Sequence, residues 1–399
     1  MSYKIINHAP KKLSGYSLME LLIAMALSVF LIGAAVVILT RNSNSYQLNI
    51  DHVQVQDNAR FALDAVVNDL RMAGYFGCGK KIVNNLNLAN LTGQINGHIL
   101  DTTYAIDGLE QDTGVWSAQN INANLLMVDT NVTIKPGTDG IVVRKLWGKG
   151  VPIRANMVAG ADNVLVKNAG FGANSIAAIY DCQTTNIFQA TSVANDQIGH
   201  MSGSSFKPGN LFDGFMDGAS NEDLPYQQTQ IYLATVPTDS DPNGIRAKTF
   251  VSRFDAFRYF VSEPTGGEPG LWRQYFNVVQ SKVVEEELVE GVENMQILYL
   301  VEPPNANPPT YVKANQVAQA AGTGVDGWRY VTAIKLTLLI RSERELGTYI
   351  NKQKYDIYST PDDASDDFDP VDDRRRRYLV STTILMRNRQ FDPGSLTSS

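Results

Sequence analysis

Residues Leu21 to Leu39 form an apolar run without one charge, interrupted only by Ser28 and Gly33. As a helix rising 1.5 Å per residue, the run is roughly 28 Å long, close to the ~30 Å hydrocarbon core of a bilayer. Lys4, Lys11 and Lys12 precede it with no acid among them, a charge bias that puts the N-terminus on the cytoplasmic side. Glu20 stands at the edge of the run. An unpaired carboxylate in lipid costs on the order of 3 kcal/mol, so a carboxylate kept there calls for a cationic partner.

A cleaved secretory signal needs a short apolar region followed by a small-residue cleavage site. This run is too long, and Ile38-Leu39-Thr40-Arg41-Asn42 offers no such site. A plain signal anchor explains the length and the lysines but leaves Glu20 as a snorkelling accident. The stretch Lys11-Lys12-Leu13-Ser14-Gly15-Tyr16-Ser17-Leu18-Met19-Glu20 instead resembles the type IV prepilin signal: a basic leader ending in glycine, an aromatic first mature residue, and a glutamate at the fifth mature position. The family usually has Phe where this chain has Tyr16. The resemblance implies cleavage by a prepilin peptidase between Gly15 and Tyr16, N-methylation of Tyr16, and retention of the helix on the mature chain. Cleavage exposes an α-amino group of reference pKa about 7.7–8, and methylation leaves it cationic. Glu20 would then pair with the terminal ammonium of a neighbouring subunit, satisfying two charges that are each costly alone and setting helix register during subunit assembly.

The sequence stays helical from Arg41 to about Ala73 but turns amphipathic, with Phe61, Leu63, Val66, Val67 and Leu70 mostly on one side and the charges largely on the other. No proline interrupts Tyr16 to Ala73, and Gly74 is a helix stop signal. Gly74-Tyr75-Phe76-Gly77-Cys78-Gly79-Lys80 has the outline of a phosphate-binding loop. Lys81 follows where Ser or Thr would bind Mg²⁺, however, and a helix precedes where a strand is required. It reads as a glycine-rich helix exit.

Asn124–Val128, Gly140–Val143 and Ile176–Tyr180 read as strands, and Ser202–Asn221 as an irregular excursion. Phe250–Val261, a Pro/Gly-rich loop and Leu271–Tyr275 read as a hairpin. Val283–Val301 carries Glu285-Glu286-Glu287 and ends in a strand. Tyr330–Arg341 and Arg377–Arg389 alternate on period two, predicting half-buried strands with Ile334, Leu336, Leu338 and Ile340, and Tyr378, Val380, Ile384 and Met386, inward. The expected fold is α+β: a long N-terminal helix, half in membrane and half amphipathic, packed on an antiparallel β-sheet ectodomain. Its divisions are a leader at 1–15, a membrane and assembly half-helix at 16–40, an amphipathic half at 41–74, a β-rich insertion or lobe at 75–270 and a C-terminal β-sheet region at 271–399.

The net charge is −7, and loss of Lys4, Lys11 and Lys12 with a leader would make it −10, which argues against a broad nucleic-acid footprint. Cys78 and Cys182 are the two cysteines, neither with a Cys or His neighbour at metal-ligand spacing, and His8, His52, His98 and His200 are scattered. A zinc site is not expected. Beyond the membrane the compartment is oxidising, so a Cys78–Cys182 disulfide is expected, with two buried free thiols as the alternative. The acidic run Asp362–Asp373 lacks the central Gly and terminal Glu of an EF-hand. Beside Arg374–Arg377 it reads as a solvated loop with local charge compensation. No Gly-x-Ser-x-Gly or His-Glu-x-x-His motif is present, and no enzyme activity or cofactor is expected.

Asp57-Asn58-Ala59-Arg60-Phe61-Ala62, then Arg71–Cys78, the segment Glu287–Tyr299 and the closing Arg387-Asn388-Arg389 resemble segments of the PilW group of minor pilins, covering both ends of the chain and little between about 80 and 270. The resemblance implies a pilin-like fold and a low-copy, non-catalytic subunit that primes type IV pilus assembly at or near the tip. The implied partners are other minor pilins, the major pilin, the prepilin peptidase and, at the tip, an adhesin. Storage would be in the inner membrane with a periplasmic ectodomain, before incorporation into the surface fibre. A pseudopilin of type II secretion shares the leader and helix and is the alternative, with a membrane-anchored periplasmic enzyme behind it.

Overall fold

The computed structural model describes residues 15–78, 81–91, 97–110, 132, 134–154, 163–181, 184–203, 205–212, 249–264, 267–277, 280, 282–303, 308–322, 327–345, 350–358, 367–370 and 373–388. The chain divides into two compact units, Met1–Val53 and Gln54–Ser399. Helix α1 (Leu18–Met72, 55 residues) runs from the first into the second.

In the first unit the apolar side chains of α1 lie open, Phe30 at 74% and Leu39 at 68% exposure. A helix that is apolar all round is stable when lipid or other helices surround it. This helix is long and apolar enough to cross a membrane.

In the second unit the buried face of α1 is Val55, Ala59, Ala62, Val66, Val67, Leu70 and Ala73, a stripe of the 3.6-residue period. One expected member is overturned: Phe61 points outward at 60% exposure. The small Ala59 and Ala62 take the inward places beside it, which lets the helix axis come close to the β-sheet. The helix ends because Gly74 adopts φ +76°, a left-handed conformation that glycine reaches without a Cβ penalty. Its N–H donates to Arg144 O at 2.9 Å, and a Cβ there would fall 2.1 Å from Asn388 O.

Sixteen strands follow among the described residues. They are β1 (Lys81–Asn84), β2 (Ile106–Leu109), β3 (Gly140–Leu146), β4 (Val151–Pro152), β5 (Asn163–Leu165), β6 (Ile176–Tyr180), β7 (Thr184–Gln189), β8 (Ser192–Ala194) and β9 (Gln197–Gly199). The longer ones come later: β10 (Phe250–Ser262), β11 (Gly270–Asn277), β12 (Lys282–Glu290), β13 (Val292–Val301), β14 (Thr310–Val312), β15 (Val331–Arg341) and β16 (Arg377–Leu385). A nine-stranded sheet has the path β1-β7-β6-β10-β11-β12, with β3 and β4 also pairing β10 and β2 pairing β3. A four-stranded sheet runs β14-β13-β15-β16, and a small sheet runs β5-β9-β8. The expectation of antiparallel pairing meets one exception, because β1 pairs β7 in parallel. The predicted strand Asn124–Val128 lies outside the described residues, as do 213–221 of the predicted excursion.

Val283–Val301, expected to end in a strand, does so in β13 and holds most of a second strand, β12, before it. The chain turns from β12 to β13 at Gly291, φ +83°, and so passes from one sheet to the other. Both sheets meet under α1: Tyr259, Val261, Leu271 and Val289 from the first join Met295, Ile297, Tyr299, Ile334, Leu336 and Leu338 from the second in one core with the helix. Strand β15 is not half-buried but buried on both faces, since the following segment brings Tyr355 and Ile357 against Leu339 on its other side. In β16 the expected inward set is reduced. Ile384 and the following Met386 are buried, while Tyr378 is 37% exposed, because β16 ends the sheet and pairs only with β15 among the described strands.

Candidate functional site

Gly15 and Tyr16 precede α1, with Tyr16 91% exposed. The first turn carries a reciprocal cap absent from the sequence reading. The Met19 N–H donates to Ser17 Oγ at 3.3 Å, and the Ser17 N–H donates to Glu20 Oε2 at 3.0 Å. This is the Ser-x-x-Glu capping box, and its spacing was the signal that could have revealed it. The Glu20 carboxylate also sits at the positive end of the helix dipole. Glu20 therefore has a partner inside its own chain, one residue after Tyr16. Lys4, Lys11 and Lys12 lie outside the described residues, as does Cys182. Cys78 follows Phe76, whose carbonyl accepts the Thr185 hydroxyl at 2.7 Å, so the helix exit and the start of β7 lie side by side.

Asp69, near the end of α1, accepts bonds from Lys145 Nζ and from the Tyr259 hydroxyl. Both partners are buried strand residues, so one helical carboxylate fixes α1 to β3 and β10. Burial, and then the Asp69 charge, push the Tyr259 hydroxyl above its ordinary pKa. Beneath the same strands Arg144 is fully buried and donates to Asp107 at 2.7 Å, to Ile99 O and to Tyr104 O. Burial lowers the Arg258 guanidinium to about 9, Arg144 adding to the effect and Glu285 and Asp107 opposing it.

The arginine run is compensated only in part by the acids beside it: Arg377 pairs with Asp373 of the adjoining run, but its arginines also reach distant acids and are drawn out of a solvated loop. Arg375 forks onto Glu268 and also reaches the carbonyls of Ser342 and Glu343. Arg377 bonds Glu293 on β13 and Asp373 four residues back, and Arg341 on β15 bridges Glu268 and Glu293. The Arg377 and Glu293 side chains are 1% and 6% exposed. Strand alternation explains the departure: Arg377 pairs with Arg341 in register on β15, which draws both toward Glu293. Of the acidic run, Asp369 bonds Lys354 at 2.9 Å, while residues 362–366, 371 and 372 lie outside the described set. Glu285–Glu287 lie on β12, where Glu286 holds Arg273 and Glu285 holds Gln274. Among the described residues no group of three or more His, Cys, Asp or Glu is arranged to hold a metal ion.

No curated protein and no solved structure matches the chain. The family model described as "Type IV Pilus-assembly protein W" matches residues 258–388, which take in the last five residues of β10, all of β11 to β16 and the arginine–carboxylate network, and it points the chain toward type IV pilus assembly.

Proposed function

We propose that this chain is a minor pilin that helps to initiate type IV pilus assembly, processed between Gly15 and Tyr16 and placed at or near the filament tip. The observation that carries the reading is the build of α1. One uninterrupted helix has an open apolar half that suits lipid or a helix bundle, and a second half that packs on the β-sheets through Val55 to Ala73. The match of the sheet region to a pilus-assembly family supports the same role. In this reading the inner membrane holds the subunit through α1 until assembly, its partners are other pilins, and it has no catalytic activity. The Ser17–Glu20 cap keeps the carboxylate satisfied in the waiting subunit, and the Tyr16 ammonium of a neighbour competes for it on assembly.

The test is Glu20→Ala in cells lacking the wild-type chain. N-terminal sequencing should still begin at Tyr16, since the cleaved bond lies upstream of Glu20, while surface piliation and recovery of the variant in sheared filaments should fall. A mature N-terminus near residue 41 would sink the processing step. Wild-type piliation and incorporation would sink the pairing step.

A further inference from the structure

Face by face, the nine-stranded sheet has one built surface that the assembly reading leaves unused. The face of β10 that carries Tyr259 and Val261 is covered by α1, whereas Arg253, Asp255 and Phe257 on the same face are only part-buried. Beside them stands Trp147, 58% exposed at the end of β3. Its backbone is held on both sides, since its N–H donates to Arg253 O at 2.8 Å and its carbonyl accepts the Ser252 hydroxyl. The Arg253 guanidinium carbon lies 4.9 Å from the indole centre and Lys145 Nζ 5.3 Å. The row continues to Phe257, which Arg273 approaches at 4.9 Å.

Each cation in the row is already matched by an acid. Arg253 bonds Asp255 through Nε and Nη2, Lys145 bonds Asp69, and Arg273 bonds Glu286 Oε1. These pairs remove the rotamer freedom of the long side chains, so the platform is preorganised. They also cancel its charge, in a chain of net charge −7. Affinity for nucleic acid comes mainly from cations that neutralise phosphates, and the three cations of the row are already paired. What remains outward is a fixed indole, one donor (Arg253 Nη1) and one acceptor (Glu286 Oε2) without partners among the described residues. A flat apolar partner would strand both polar atoms at a cost.

We infer that the Trp147 face binds a neutral glycan. The pyranose rings of a glycan chain present C–H faces that pack on aromatic rings, and hydroxyls that donate and accept at once, so one ring answers the indole and the guanidinium edge while the carboxylate, further along the row on β12 opposite Arg273, falls to another ring of the chain.

The experiment uses the full chain in a detergent without a sugar headgroup. Maltohexaose, cellohexaose and chitohexaose are titrated with calorimetry and tryptophan fluorescence as readouts. At least one should bind, Trp147→Ala should weaken that binding by about tenfold or more, and Trp147→Phe should retain most of it. Unchanged melting of Trp147→Ala would show that the fold is intact, as expected for an exposed side chain. The inference is overturned if none of the three binds at millimolar sugar, or if binding survives Trp147→Ala. It is also overturned if a single-stranded oligothymidylate, and no sugar, binds in a salt-sensitive and Trp147-dependent way.

Discussion

At the scale of single residues, Glu293 carries more of the C-terminal sheet than its neighbours in sequence suggest. It accepts from Arg377 and Arg341, two guanidiniums whose side chains are 1% and 14% exposed. Without it Arg377 keeps only Asp373 and Arg341 only Glu268, so the loss falls short of the about 3–5 kcal/mol of a buried charge left wholly unpaired but removes the one acid that joins the two arginines. Glu293→Ala should therefore lower the thermal midpoint sharply, whereas Glu290→Ala, at an exposed position three residues earlier, should leave it nearly unchanged. Asp373 in the same network gives a pH signature. Burial alone would raise its pKa, but the hydrogen bonds from Arg377 and the Arg375 N–H outweigh that and hold it below the ordinary 3.8. A depressed folded pKa means stability that is complete above the unfolded value and is lost as pH falls through the folded one. Melting temperature should thus begin to drop below about pH 4, and Asp373→Asn should flatten that acid limb. An acid limb unchanged in the variant would assign it to other carboxylates.

At the scale of elements, the legible features were those with a strong period or a breaker. The apolar half of α1, the glycine that stops it, and the strands at Gly140, Ile176, Phe250 and Tyr330 are written in hydropathy alternation and turn residues. The inward face of α1 was legible only in part, because Ala59 and Ala62 are too small to dominate a hydrophobic pattern, while Phe61 dominates it and faces out. The capping box was spelled by Ser17 and Glu20 but masked by the stronger reading of Glu20 as a membrane-edge charge. The partners of Arg375 and Arg377 could not be read locally, since Glu268 and Glu293 lie about 80 to 110 residues away in sequence and are joined to them by sheet register. A substitution pair tests the corrected helix face. Ala62→Leu forces extra methylenes into a closed contact and should cost about 1–3 kcal/mol, whereas Phe61→Ser on the open face should shift stability by about 0.5 kcal/mol or less. Denaturant midpoints of the full chain in detergent measure both. Equal losses would mean that the helix buries Phe61 in solution.

At the scale of the whole molecule, the question is what ties the helix exit to the β-rich part that follows it. Packing under α1 joins the two sheets through one core, but Tyr75, Phe76 and their surroundings belong to a separate core with Ile176, Tyr180 and Ile187. The Thr185 hydroxyl on the Phe76 carbonyl at 2.7 Å sits at that second junction. In sequence Cys78 comes two residues after Phe76 and Cys182 three residues before Thr185. We propose that these two cysteines form a disulfide once the ectodomain reaches an oxidising compartment. The bond would close a loop of about 100 residues, for which the chain-entropy model gives up to roughly 4.7 kcal/mol. That loop contains β1 to β6, a region of short strands and long connections whose own cores are small. Its ordering should therefore depend on the crosslink more than that of β10 to β16. Peptide mapping of non-reduced protein, purified from the envelope with free thiols blocked at lysis, should recover one crosslinked peptide pair and no alkylated cysteine. The double variant Cys78→Ser, Cys182→Ser should lose protease resistance first between residues 80 and 200, while the network around Glu293 keeps its melting behaviour. Two alkylatable thiols in the native protein would rule the bond out. Loss of protection spread evenly over both sheets would mean that the junction at Phe76 supports the whole ectodomain rather than its N-terminal part.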